Sequence, residues 1–477
     1  MTMPLLVGVL VCAASHAAPT AQRAGDGDHA AAPARAAASE WPQFRGPGAG
    51  GVSDARGVPT AFDTPTWRRP VPGLAHASPV VADGRVFVLT AIPTGIEPQL
   101  RVGLYGDGGS AEDLVETEFR LLALDVATGE VLWDTLVVKG TPPFGRHTKA
   151  TQANSTPAVA DGRVVALCGS HGLFCLDAAT GEARWHAELG ALDCGPWDVE
   201  DLHWGFASSP VIADGHVLVQ ADVKTAPYLA SFALATGAVE WRVARDDVNG
   251  WSTPTVTTAP DGARIVLVNG CKHIGAYALA DGAERWRMAG GGGIPVPTPV
   301  VAGDLAYFTS NHRPLEAAHP QKPVYAVRLG ARGDLGVPQP RALQADGPGA
   351  PSADAAPDPV AWVVARRGNY MQTPLVHAGQ LWLGYDNGVV TCLDAATGVE
   401  RYRERLSEGT DGFTASPVAA EGRLYFTSEQ GEVFVLAAGP KFEVLARGAL
   451  GDVCMASPAV IEGALIFRLQ GSVVRYD

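Results

Sequence analysis

The 477 residues carry 50 acidic and 36 basic side chains, a net charge of −14. With no basic excess to neutralise phosphates, that balance argues against a nucleic-acid partner and against electrostatic docking on an anionic membrane. Length alone would suggest two or three domains, but 56 glycines and 47% hydrophobic residues fit many short strands joined by tight turns.

From the start, residues 1–18 hold an apolar run from Pro4 to Cys12 and then Ala13-Ala14-Ser15-His16-Ala17. The pattern reads as a signal peptide with a small-residue cleavage zone, predicting a periplasmic or secreted protein. No Lys or Arg precedes the run, so an untranslocated Ala-rich tail is the alternative; Val11 makes Cys12 a poor match to a lipid-attachment site. Residues 19–39 are Ala-rich without a period and read as a linker. No later segment is long and apolar enough to span a bilayer as a helix.

From residue 40 onward one unit repeats. Ser78-Pro79, Thr156-Pro157, Ser209-Pro210, Thr253-Pro254, Thr298-Pro299, Thr373-Pro374, Ser416-Pro417 and Ser457-Pro458 each precede an apolar strand, and most are 41 to 53 residues apart. That is the period of one four-stranded propeller blade. In the second repeat, Thr156 to Ala160 is the inner strand and Asp161-Gly162 a tight turn. Arg163 to Cys168 follows, then a hairpin at Gly169 to Gly172, in which a two-residue turn would pair Cys168 with Leu173. Leu173 to Asp177 is the third strand, and Thr180-Gly181 turns into the outer strand at Trp185. Corresponding aromatics are Trp67, Trp133, Trp241, Trp286 and Tyr402, read as packing residues that fill the gap between blades. Two longer intervals mark insertions at 91–118, which is acidic, and 331–359, which is Pro/Ala/Gly-rich; both read as surface loops.

The last repeat stops at its third strand near Tyr476, whereas Thr64 to Arg69 resembles an outer strand with no inner strands before it. The predicted fold is therefore all-β: an eight-bladed propeller, with seven blades the alternative count, of four-stranded antiparallel blades closed by pairing the N-terminal strand with the C-terminal blade. Cys175 and Cys392 occupy the same place in two repeats and read as buried small apolar residues. No Cys-x-x-Cys suggests zinc or redox chemistry.

The block Leu-Asp-Ala-Ala-Thr-Gly-x-x-x-Trp/Tyr with its Ser/Thr-Pro strands resembles the pyrroloquinoline-quinone (PQQ) enzyme repeat, over essentially residues 41–477. Trp41-Pro-Gln-Phe-Arg-Gly-Pro is similar to the opening of PQQ-like propellers of planctomycete-type bacteria. The resemblance implies one of two activities. One is PQQ- and calcium-dependent oxidation of an alcohol or sugar. The other is a non-enzymatic role such as that of the propeller lipoprotein of the outer-membrane β-barrel assembly machinery. Many PQQ alcohol dehydrogenases have two adjacent cysteines beside the quinone; here no two cysteines are neighbours. Their calcium-binding Glu and Asn and their Asp base map to no particular position in this chain.

In a propeller the segment before each inner strand lies near one mouth of the central channel. These segments carry His147, Lys149, Gln152 and Asn154 before blade 2, and Glu200, His203 and Trp204 before blade 3. Asn249 and Trp251 precede blade 4, Tyr370 and Gln372 blade 6, and Asp411 and Phe413 blade 7. Aromatics with convergent polar groups suit a planar ligand or a peptide. The reading favours a binding or scaffold protein without cofactor, catalytic residue or metal, taking an envelope protein, peptide or small ligand at the mouth of a monomer. The alternative is a PQQ/calcium dehydrogenase stacking the quinone on Trp204 or Trp251 with Glu200, Asn154 or Asp411 as polar partners. His147 and His203, with Glu200 or Asp201, form a weaker metal, hydrolase or lyase set. No Gly-x-Ser-x-Gly or phosphate loop is present.

Overall fold

Three Asp-Gly pairs that follow inner strands fold as hairpin turns with both residues left-handed: φ is 48° and 70° at Asp83-Gly84, 49° and 66° at Asp161-Gly162, and 51° and 83° at Asp214-Gly215. Each turn returns a three- or four-residue inner strand onto a longer second strand. In blade 2 the strands are Ala158–Ala160, Arg163–Leu167, Leu173–Asp177 and Ala183–Ala187. Leu167, not Cys168, faces Leu173, because Gly169–His171 forms a turn of 3-10 helix at the hairpin tip. The six cysteines of the described residues are all buried and free.

The computed structural model describes residues 40–104, 108–311, 314–340, 358–409 and 411–477. The expected leader (1–18) and linker (19–39) lie outside them. So do Gly106-Asp107 of the acidic insertion and 341–357 of the Pro-rich one. The described strands form eight antiparallel blades, and no helix among these residues is long and apolar enough to cross a membrane. Closure is as anticipated: Trp67–Pro70 becomes the outer strand of blade 8, with Trp67 opposite Arg475 and Pro70 opposite Ser472. The core lies in the wedges between blades. In one wedge Leu218 and Leu229 of blade 3 pack with Val266 and Val268 of blade 4.

Two additions depart from the four-stranded plan. Gly333–Asp334, inside the second insertion, pairs in parallel with the outer strand of blade 4. Val52–Ser53 pairs in parallel with Ala419–Ala420, on the channel side of blade 7. The first insertion is also shorter than its sequence limits, since its ends extend a hairpin of nine-residue strands, Arg85–Pro93 and Thr117–Asp125.

Adjacent blades are joined by two repeated contacts. In the first, the outer-strand indole of one blade docks on the Thr-Gly turn of the next. Trp67 donates its indole N–H to Val126 O at 3.1 Å, Trp133 to Ala178 O at 3.2 Å and Trp185 to Leu234 O at 2.8 Å. Trp241 and Trp362 repeat the bond at 2.9 and 3.1 Å. The turn glycine lies beneath each ring; a Cβ on Gly237 would sit 2.6 Å from Trp185. Trp286 is buried without an indole partner, in a cluster with Leu329 and Ala331 of blade 5. Tyr402 instead accepts a hydrogen bond from Trp382 at 2.8 Å.

The second contact explains the Ser/Thr-Pro pairs. Six of the eight hydroxyls accept the backbone amide of the matching Ser or Thr one blade earlier. Six such links of 2.9 to 3.0 Å run 78→156→209→253 and 298→373→416→457. Proline follows because the first residue of an inner strand has no ladder partner on its channel side.

Candidate functional site

The channel is closed at one end by the chain's own start. Trp41 pairs with Val81 of blade 1, Pro42 O accepts the Val159 amide of blade 2 at 2.8 Å, and Gln43 Oε1 accepts that of Ile212 in blade 3. Arg45, fully buried, donates to Pro374 O in blade 6 and Pro417 O in blade 7, each at 2.8 Å. Burial pushes its guanidinium down to about 9, and these carbonyl dipoles stabilise the charge in place of water. Residues 41–53 thus form a plug, and Phe44 faces up from it as the floor of a cavity of about 560 Å³.

All eight Ser/Thr of the Ser/Thr-Pro pairs line this cavity. So, in every blade, does the residue two positions earlier. Trp251, Val296, Met371 and Met455 fill that position with apolar bulk, His76, Asn154 and Thr414 with polar groups, and Ala207 with a methyl. The chain enters each inner strand in extended conformation, so side chains alternate and one register recurs around the ring.

At the other end, described residues of the acidic insertion bond to the blades on either side of the mouth. Arg101 N donates to Thr148 O at 3.0 Å, and Gly103 N to Glu429 Oε2 at 2.7 Å. Trp204 donates its indole N–H to Gly108 O at 2.7 Å, and Ser110 Oγ donates to His203 O at 2.7 Å. Arg146 holds Gln99 O and the Asp113 carboxylate. The expected surface loop is in fact a strap at the mouth, its described residues tied to blades 2, 3 and 7. Its main anchor is a buried ion pair. Lys149 Nζ lies 2.8 Å from Glu429 Oε1, and also donates to Gly103 O. Glu429 further accepts from Thr414 Oγ1 at 2.6 Å.

Of the residues singled out from sequence, His147, Lys149, Asn154, Trp204, Trp251 and Tyr370 line the cavity. Trp204 and Trp251 lie 6.0 Å apart, tilted by 35°, and His147 meets Trp204 edge-on at 5.5 Å. Asn154 is engaged locally, accepting from Thr151 and donating to Phe206 O. Tyr370 has its phenol pushed up to about 12 by burial. The others point elsewhere. Gln152 donates to Phe144 O beside a small side pocket, His203 pairs with Asp193 at 2.7 Å, and Glu200 is exposed. Asn249, Gln372 and Phe413 are buried outside the cavity, and Asp411 is half-buried outside it. His203 lies outside the cavity that His147 lines, and no group of three or more metal-ligating side chains occurs among the described residues.

Residues missed at the sequence level are Phe44, His76, Met371, Met455 and Glu429. His76 bonds Lys149 O at 2.7 Å, and burial lowers its imidazole to about 4, so it is neutral.

The family model described as outer membrane protein assembly factor BamB matches residues 52–191 and 117–314, together more than half of the 477-residue chain. The chain belongs to this PQQ-like, BamB-type propeller family. Among solved structures it is similar to a europium-containing methanol dehydrogenase, at 11% identity and a TM-score of 0.59 over 91% of this chain and 90% of the other. It is also similar to the quinohemoprotein alcohol dehydrogenase of Comamonas testosteroni, at 13% identity and a TM-score of 0.56 over 92% and 80%. BamB from Moraxella catarrhalis aligns at 17% identity and a TM-score of 0.49 over 81% and 97%. At such identities the likeness to the two dehydrogenases is one of fold. No curated protein matches the chain. Family and fold leave the function open, and the cavity must carry the functional argument.

Proposed function

We propose that this family member is an exported, non-enzymatic binding propeller of the cell envelope, whose blind cavity receives a ligand or a partner's side chain. The supporting observation is the chemistry of the lining. Among its described residues there is no carboxylate, and its one lysine is already paired with Glu429. His147 uses Nδ1 to accept the Lys149 amide at 3.0 Å, and His76 is neutral and bonded to a carbonyl. No nucleophile stands beside a base, so the lining lacks an acid–base pair of the kind catalysis requires.

The alternative, a PQQ- and calcium-dependent dehydrogenase, asks for cations facing the quinone's carboxylates and for carboxylate or amide oxygens around calcium. The lining does not fit that group. Asn154 is occupied, and Glu200 and Asp411 stand outside. Titration with PQQ plus calcium separates the readings: the binding protein shows no quinone absorption band and no dye-linked alcohol oxidation. A stoichiometric quinone band with turnover would replace this proposal with the dehydrogenase.

A further inference from the structure

Resting on the reading of the cavity as a binding site, we infer that its ligand is a small uncharged molecule with an aromatic or aliphatic body and at least one hydrogen-bond acceptor oxygen. Size comes first. The volume of about 560 Å³, between Phe44 below and Gly108 of the strap above, falls in the range of small-molecule sites. The plug closes the floor at Phe44, and the lining is that of a pocket sized for a small molecule.

Charge selection follows from how each ionisable lining group is held. Lys149 has its ammonium against Glu429 and Gly103 O. His76 is neutral, Tyr370 keeps its proton, and His147 holds a backbone amide with one ring nitrogen. An anion entering here would lose its water and meet no free cation; a cation would meet no carboxylate in the described lining. Either carries the desolvation cost without a counter-ion.

Polarity follows from the hydroxyl ring. Thr156, Ser209, Thr253, Thr373, Ser416 and Ser457 each accept a backbone amide. A hydroxyl that accepts still has one proton to donate, and none of these six donates to a described residue of the protein. Their protons are available to an acceptor within the cavity. Apolar walls from Trp204, Trp251, Ile294 and Val296 then surround the rest of the ligand.

Three probes of one shape test this on the full-length protein by isothermal titration calorimetry: 2-acetylnaphthalene, naphthalene and 2-naphthoate. The neutral ketone is expected to bind about tenfold or more tighter than the carboxylate. It should bind about threefold or more tighter than naphthalene, which has no acceptor. Ala207→Trp and Val296→Trp, which fill the cavity, should each weaken the ketone at least about tenfold while a thermal melt shows the fold retained. Naphthoate binding as tightly as the ketone overturns the charge assignment, and naphthalene matching the ketone overturns the acceptor requirement. In either case the site itself still stands. Binding of no probe, or binding that both filled variants leave unchanged, overturns the cavity as a binding site, and the ligand class with it.

Discussion

At Gly237 two demands meet: φ is +72°, and a Cβ would lie 2.6 Å from the Trp185 ring of the preceding blade. Gly84 has nearly the same φ, +70°, with open space around it. Gly84→Ala should therefore cost about 1 kcal/mol for conformation alone. Gly237→Ala adds overpacking and should cost about 3 kcal/mol, because the indole must leave its carbonyl. Chemical denaturation of the two variants checks the difference; equal losses would mean that the indole contact carries no weight. The turn and the aromatic were both legible in the sequence, but their partnership was not. Thr-Gly and Trp sit four residues apart within one blade, yet each contacts the neighbouring blade, and a repeat pattern cannot show that offset. Trp362 was invisible for a related reason, since the insertion before it replaces the Thr-Gly that marks the outer strands of blades 1, 2, 3 and 6. His76 supplies a pH test at the same scale. Burial depresses its folded-state pKa from 6.5 to about 4, so the unfolded chain binds the proton more tightly. Stability is then full above about pH 6.5 and falls as pH drops toward about 4. His76 faces the cavity, where water softens the penalty, so the loss should be about 1 to 2 kcal/mol. His76→Gln should flatten that part of the stability–pH profile; an unchanged slope would reject the assignment.

Among elements, the strap shows how far a loop reading falls short. Residues 91–118 are acidic and Gly-rich, the composition of an unconstrained excursion. What constrains them is a salt bridge between positions 280 residues apart, Lys149 and Glu429, with Gly103 bonded to both. Glu429 escaped notice because it follows a second strand, whereas the sequence directed attention to segments before inner strands. Those segments were the right place, but only part of each reaches the cavity. The residue two before Ser/Thr-Pro always does, whereas Gln372, one before, and Asn249, four before, turn into the blades. Lys149→Met should destabilise by about 3 to 5 kcal/mol, because it strands a carboxylate with 1% side-chain exposure. Glu429→Gln in that background should recover part of the loss, since a neutral amide is cheaper to bury. Additive losses in this double-mutant cycle would show that the pair is not coupled. The hydroxyl links are open to a milder test. Thr156→Val keeps the shape, leaves the Ser78 amide without an acceptor, and should cost about 1 to 3 kcal/mol in thermal or urea unfolding.

For the whole molecule, the ring was readable because closure follows from counting strands: a last repeat one strand short and an orphan strand at the start can only complete each other. The plug was not readable, because Trp41 to Ser53 has no period and its partners are backbone groups of inner strands in five blades, which no pattern encodes. The chain's start therefore does two separable jobs, and truncation should separate them. A protein beginning at residue 57 keeps the closing strand Trp67–Pro70 but loses the plug. It should still unfold cooperatively, at a lower midpoint, since Arg45's carbonyl partners return to water and Phe44 no longer floors the cavity. A protein beginning at residue 72 also loses the fourth strand of blade 8, exposing Ser472–Tyr476 as an open edge and leaving Gly129 without its indole. Open edges invite strand pairing between molecules, so this form should aggregate or fail to fold. Circular dichroism melts with size-exclusion chromatography distinguish the two. Equal behaviour of both truncations would mean that the closing strand adds nothing beyond the plug, and that blade 8 holds on three strands alone.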